Sequence, residues 1–241
     1  MHIVEEKEFC DKVCPILDKV FDLKNSLSYY FSDYICSRLI VFDTSSASIN
    51  DAIPMQTIIN AARKVGDDAC FFSIIHPNIH EPDFYYVPLD DLELYYNWSN
   101  NNLDKKTSKH LNEKLSEWGY RYPLNGDNGS VIIFSASGKW GVITRYCEKL
   151  GLIGGIDNFI HNLKQEFPQV EKQVFSFLFD FYLDCHCVKT NYLEQVVSSG
   201  IRDDLEHVYD IEKVEEMLAM TVIQLFERSN LEGELSDFIN L

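Results

Sequence analysis

The stretch 130–160, SVIIFSASGKWGVITRYCEKLGLIGGIDNFI, holds two strand-like runs, a Gly-Lys pair between them, and a glycine cluster that opens onto an amphipathic segment. Val131–Ser135 and Trp140–Tyr146 are rich in β-branched and aromatic residues, and Gly138-Lys139 between them fits a two-residue hairpin turn with glycine first. Gly151, Gly154 and Gly155 then precede a helix marked by Ile156, Phe159, Ile160 and Leu163. A phosphate cradle needs glycine-rich backbone between a strand and a helix N-terminus, so that free amides and the helix dipole meet the anion. The spacing matches neither G-x-G-x-x-G nor G-x-x-x-x-G-K-[ST]. Asp157 would cap the same amides, and Lys139 lies on the wrong side of the strand for a phosphate-loop lysine. The stretch therefore reads as scaffold: a hairpin, a Trp140 anchor, and glycines that turn a strand tightly into the helix at Asp157.

Working outward, Glu5 to Leu23 has Phe9, Val13, Ile16, Val20 and Phe21 at helical spacing, with Pro15 as a kink. Leu27 to Phe42 reads as a helix followed by a strand Arg38–Phe42. Ser45 to Asn50 offer caps for a helix through Ile58, Ile59 and Ala62 that ends near Gly66. Cys70–Ile75 and Phe84–Pro88 read as strands joined at His76-Pro77-Asn78. A short helix starts at Asp90 and Asp91 and reaches Tyr96, and another spans Ser108 to Trp118 within the polar stretch 99–128. After residue 155 the spacing is helical: Val170, Val174, Phe177, Leu178 and Phe181 mark one helix and Tyr192 to Val197 another. A long one runs from Asp203 to about Arg228 through Ile211, Val214, Leu218 and Leu225. The expected class is α+β: a small mixed sheet flanked by helices over residues 1–155, followed by an all-helical part over 156–241. The sequence leaves open whether that second part stands alone or packs into the same globule.

With 46% hydrophobic and 24% charged residues the composition is that of a folded globular chain. The N-terminus carries neither a basic region nor an apolar core of the kind secretory signals need, and Val174–Leu183 is too short to span a bilayer, so a cytoplasmic protein is expected. Seven scattered cysteines suggest no disulfide framework. The balance of 21 basic against 38 acidic residues gives a net charge of −17, a field that repels nucleic acid and anionic membrane and attracts basic partners.

Several constellations could carry chemistry. Cys185-His186-Cys187 with Cys10 and Cys14 could supply soft metal ligands, but no C-x-x-C pair exists and incidental or core cysteine is the preferred reading, so no metal or cofactor is implied. His76, His80 and Glu81 sit in a loop, off any helical metal spacing. Arg202 and His207 are spaced as in the R-x₄-H motif of the HEPN ribonucleases, which they resemble. In that family the cation stabilises phosphate charge and the histidine moves protons. Against this, seven acids and one lysine lie between residues 203 and 216. No G-x-S-x-G, H-E-x-x-H or papain-like cysteine context appears, so the expectation is a protein that is not an enzyme.

The placement of acid says more. Between Lys64 and Lys105 there is no Lys or Arg, while Asp67, Asp68, Glu81, Asp83, Asp90, Asp91, Glu93 and Asp104 are interleaved with Tyr85, Tyr86, Tyr95, Tyr96 and Trp98. Acids steer a basic partner, and aromatics anchor it once desolvated. The candidate contact residues from charge pattern are Asp83, Tyr85, Asp90, Asp91, Glu93, Tyr95 and Trp98, with Asp203, Asp204 and Glu206 in the second acidic run.

The quoted segment resembles one found in several families of immunity proteins of bacterial contact-dependent inhibition and other polymorphic toxin systems. There a strand, a Gly-x-Trp-Gly turn and strand, and a Gly-Gly step into a helix recur; the matching positions are Gly138, Trp140, Gly141, Gly154 and Gly155. The resemblance extends over about residues 45 to 165 and leaves the helical remainder unassigned. It implies a cytosolic, non-enzymatic inhibitor that binds the C-terminal domain of one cognate toxin, in many such systems a basic nuclease, and occludes its active or substrate-binding surface.

Overall fold

The computed structural model of the chain describes residues 1–25, 28–42, 55–75, 83–93, 130–145, 150–184, 199–229, 231, 233 and 235. Its centre is a seven-stranded sheet. The strands are β1 (His2–Ile3), β4 (Ser37–Phe42), β5 (Ala69–Ile75), β6 (Phe84–Pro88), β7 (Ser130–Ser135), β8 (Trp140–Arg145) and β9 (Leu150–Gly155), in the order β1-β6-β5-β7-β8-β9-β4. The α+β class with helices at the C-terminal end is what the structure shows, with a larger sheet than the sequence suggests. Every strand pairing in it is antiparallel. A separate hairpin pairs β2 (Phe21–Asn25) with β3 (Ser28–Phe31).

Helices cover both faces, which is why the strands read as near-continuous apolar runs. Alternation divides them cleanly. Ile40, Phe71, Ile132, Phe134, Ile143 and Leu152 point to one face, and Leu39, Val41, Cys70, Phe72, Ile133, Trp140, Val142 and Ile153 to the other. The second face is closed by α2 (Met55–Lys64) through Ile58, Ile59 and Ala62, and by α3 (Asp157–Glu166) through Phe159, Ile160 and Leu163. The first is closed by α1, a continuous helical stretch of Glu6–Glu8, Phe9–Val13 and Cys14–Val20, and by the C-terminal helices. These are α4 (Gln173–Asp184), α5 (Ser199–Val208), α6 (Ile211–Leu218) and α7 (Val222–Arg228), which reach α3 through a 3₁₀ turn at Pro168–Lys172. Phe177, Leu178, Leu205, Val214 and Leu225 belong to the same buried cluster as Phe134 and Ile143 of the sheet. The helices after residue 155 therefore lie on both sides of one sheet.

Several local readings change. Pro15 produces a widened turn rather than a kink: the Cys14 amide bonds the Phe9 carbonyl, five residues back, in a π-helical stretch that makes room for the proline ring. Phe21 begins a strand instead of ending that helix, and the expected helix after Leu27 is the strand β3. The β7–β8 connection is the four residues Ala136–Lys139. The Gly138 amide bonds the Ser135 carbonyl at 3.0 Å, and Gly138 takes φ +71°, where a side chain would be strained. The long helix expected from Asp203 to Arg228 is three helices. Asp210 caps α6 by accepting from the Lys213 amide at 2.8 Å, and Thr221 with Gln224 forms a capping box on α7.

The glycines before α3 do not turn the chain. Gly151, Gly154 and Gly155 lie within β9, where Gly154 pairs with Gly141 and Gly155 with Trp140. A Cβ on Gly154 would meet Ile35 at 2.6 Å and Phe31 at 2.9 Å, and one on Gly155 would meet Phe159 at 2.5 Å. They are bare so that aromatic side chains from both layers can lie against the sheet. Those side chains fill the space a phosphate would need. Asp157 is not the cap either: Ile156 occupies that position, and the Asp157 carboxylate accepts from Ser37 Oγ at 2.6 Å and from the Cys36 thiol. Those two hydrogen bonds hold its pKa below the usual carboxylate value.

Candidate functional site

The first acidic segment follows β6. Asp83 is exposed at the start of that strand, where its carbonyl accepts from Ser73 Oγ at 2.8 Å. Tyr85 is half-buried on the α2/α3 face against Phe72. Residues 89–93 are helical and pin themselves to the core through Leu89 and Leu92. Asp90 and Glu93 then converge on one cation: Arg63 Nη2 donates to Asp90 at 2.5 Å and to Glu93 at 2.7 Å. The hydrogen bond to Glu93, followed by that to Asp90, raises the basicity of the guanidinium. Asp91 accepts from the amino group of Met1 at 2.9 Å. Tyr95 and Trp98 lie outside the described residues, as do Glu81 and Asp104.

Sequence reasoning missed this compensation. The basic-free stretch starts immediately after Arg63 and Lys64, which end α2, and the fold returns the strand β6 to that helix end. Lys64 is itself paired, with Glu166 at 2.6 Å, an interaction that lowers the Glu166 pKa. The sign of the charge was legible, whereas its partners, Arg63 at the end of α2 and the Met1 amino group, are brought to it by the fold.

The second segment forms the outer surface of α5 and α6. Asp203 and Glu206 are exposed, but Asp204 is only 2% accessible and so faces the core rather than a partner. Arg202 bonds both Glu206 and Glu215, and these two hydrogen bonds raise its basicity. Arg228 of α7 reaches Glu216 of α6 at 3.1 Å, and Lys213 lies over the Tyr209 ring. Asp203 and Glu212 form no ion pair among the described residues. Two of the four exposed large apolar side chains among the described residues belong to this helix group, Ile211 at 63% and Ile223 at 53% accessibility. Each precedes a glutamate by one turn (Glu215 and Glu227), which puts apolar and acidic groups on the same helix face.

The fold does not bring the two acidic segments together. Residues 83–93 belong with β6 and the α2/α3 face, while α5 packs beside β4 and its Leu205 enters the opposite core cluster. β6 and β4 are five strand spacings apart, about 24 Å, and the segments look out from opposite faces. One partner surface of ordinary size covers one of them.

His207 Nε2 accepts a hydrogen bond from the Phe31 amide at 2.8 Å, and its ring lies against Tyr30 and Phe31. His207 is thus held against the β2–β3 hairpin, while Arg202 is engaged by two surface carboxylates. Cys10 and Cys36 are exposed free thiols. Cys14 is half-exposed, with its pKa raised by desolvation and then by Asp18. Cys70 is buried, and burial, with help from Asp67, pushes its thiol up to about 12, far from a reactive thiolate. No group of three or more metal-ligating side chains exists among the described residues, and Cys185, His186, Cys187, His76 and His80 lie outside them. Among the described residues no helix is long and apolar enough to cross a membrane.

The most elaborate polar cluster is interior. Asp67 Oδ2 accepts from Trp140 Nε1 at 2.8 Å and from Ser135 Oγ at 2.7 Å, while Lys139 stands 3.9 Å from Oδ1 and donates to the Val65 carbonyl at 2.6 Å. Ser137 completes it, bonded to Ser135 Oγ. Four residues of the SASGKW turn thus converge on the end of α2. Trp140 stacks on Phe159 of α3 with centroids 5.3 Å apart and planes 7° from parallel. The tryptophan joins hairpin, both helices and the buried carboxylate at one point.

Comparison with known proteins found no matching family model, no matching curated protein and no matching solved structure.

Proposed function

We propose that this chain is a cytoplasmic immunity protein that binds and neutralises the C-terminal domain of a cognate toxin of a bacterial polymorphic toxin system. It does so without catalysis, by covering the basic surface through which a nuclease toxin holds nucleic acid. The observation that carries this reading is the net charge of −17 together with its concentration on the outer face of α5 and α6. Asp203, Glu206, Glu212, Glu215 and Glu216 are exposed on these two helices, as is Ile211. The apolar side chain supplies area that desolvates at contact, and the acid steers the approach of lysine- and arginine-rich protein while turning nucleic acid away. On α5 and α6, Arg202 and Arg228 hold Glu206, Glu215 and Glu216, which leaves Asp203 and Glu212 outside any ion pair among the described residues; beside β6, Arg63 and the Met1 amino group hold Asp90, Glu93 and Asp91, and that face is the second choice of surface.

The test uses the C-terminal domain encoded by the neighbouring open reading frame, first shown to arrest growth when expressed alone. Purified full-length chain binds it with an association rate that falls as salt rises, and the double reversal Asp203→Lys/Glu212→Lys slows association by about tenfold or more. Reversal of Asp90 and Glu93 leaves the rate near wild type. If the Asp90/Glu93 variant is the one that fails, the contact surface lies at the β6 end; if neither reversal matters, electrostatic occlusion is wrong.

A further inference from the structure

His207 is the last polar group on α5 before the chain turns toward α6, and it closes a junction of three elements. Its Nε2 accepts from the Phe31 amide, its carbonyl accepts from Arg38 Nη1 at 2.9 Å, and its ring meets Tyr30 edge-on at 4.8 Å and Phe31 face-on at 6.0 Å. The same Arg38 side chain binds the Ile35 and Ser32 carbonyls at 3.0 Å each and the Phe31 carbonyl at 3.4 Å. The end of β3 and the connection to β4 are thus fastened to the C-terminal turn of α5 by one imidazole and one guanidinium.

We propose that His207 is a proton-responsive latch: neutral, it holds the end of the β2–β3 hairpin and residues 32–37 against α5, and protonated, it releases them. An imidazole that accepts at Nε2 carries its single hydrogen on Nδ1. A second proton would place an Nε2–H against the Phe31 N–H, donor facing donor, and both would lose their partner. The surroundings act in two directions. Arg38 from β4, itself faced by Asp33, opposes a second cation, while Asp203 and Asp204, one turn back on α5, favour one; Glu206 is bonded to Arg202, and Tyr30 offers its ring. The carboxylates do not rescue the latch, because an imidazolium paired at Nδ1 still carries a hydrogen on Nε2. Stability of the junction is present while the ring is neutral and is lost as pH falls. For a ring that takes up no proton while latched and has the ordinary histidine pKa of about 6.5 once free, opening becomes about tenfold more favourable between pH 7.5 and 5.5.

The experiment is amide hydrogen exchange on the full chain at pH 7.5 and 5.5, corrected for intrinsic rates, comparing Phe31 with Ile153 of the central sheet. The expected result is a fall in Phe31 protection approaching tenfold with Ile153 unchanged, and a His207→Gln variant, which keeps an acceptor but does not titrate, that loses this pH response. Equal protection of Phe31 at both pH values in the wild type overturns the proposal, and so does a His207→Gln variant with the same loss. Should that variant not fold, the wild-type comparison decides alone.

Discussion

Two polar junctions tie hairpins to helices in this molecule, and they are built from opposite materials. At one end of α2, Asp67 is enclosed by Trp140, Ser135 and Lys139, and the first two are also part of the packed interior. At the end of α5, His207 and Arg38 hold a strand end through backbone groups, and the junction stays partly open to water. The first depends on a tryptophan whose whole ring is buried between sheet and helix. The second depends on the protonation state of one imidazole. Fixed geometry comes from coupling a hydrogen bond to a large packed side chain; a responsive contact comes from leaving the hydrogen bond to a titratable group at a half-exposed edge.

The contrast is sharpest in stability. Trp140→Ala removes the ring stacked on Phe159 and leaves Asp67 without its indole donor, so urea unfolding should show a loss of about 3–5 kcal/mol. Gly155→Ala puts a methyl where Phe159 lies 2.5 Å away, and a loss of about 1–3 kcal/mol is expected from the same measurement. Asp67→Ala should cost a similar ~1–3 kcal/mol, because the buried Trp140 N–H and Ser135 hydroxyl lose their acceptor, while Asp67→Asn keeps an acceptor and recovers part of it. Smallest is Thr221→Ala, which removes the α7 capping box for about 1 kcal/mol, seen as a small shift in melting temperature. If Thr221→Ala proved as damaging as Trp140→Ala, the assignment of rigidity to the Asp67 junction would fail.

Much of the sheet could be read from sequence because its strands are buried on both sides. Val131–Ser135, Phe84–Pro88 and Cys70–Ile75 are apolar at most positions, and that run is visible without partners. The helix through Ile58, Ile59 and Ala62 and its end near Gly66 were equally plain, whereas its expected caps at Ser45 to Asn50 lie outside the described residues. Three kinds of feature were not. Gly154 and Gly155 suggest a turn when viewed along the chain, and only the distant Ile35 and Phe31, with Phe159 folded back from α3, explain their bareness. The division of the last helix was present in sequence as Asp210 and as Thr221 with Gln224, but the apolar spacing of Val214, Leu218 and Leu225 runs on through the second break. The acidic face was legible as composition, yet its compensation by Arg63 and the burial of Asp204 follow from tertiary neighbours that a linear reading does not supply.

The central claim is that the chain protects by binding through the α5–α6 face, and growth measures it directly. The C-terminal domain encoded by the neighbouring open reading frame is expressed in bacteria alone, with the wild-type chain, and with the Asp203→Lys/Glu212→Lys chain, after confirming that both chains accumulate and fold. The account predicts growth arrest alone, full growth with the wild type, and arrest again with the reversed chain. Arrest despite the wild-type chain, or full growth with the reversed one, contradicts it.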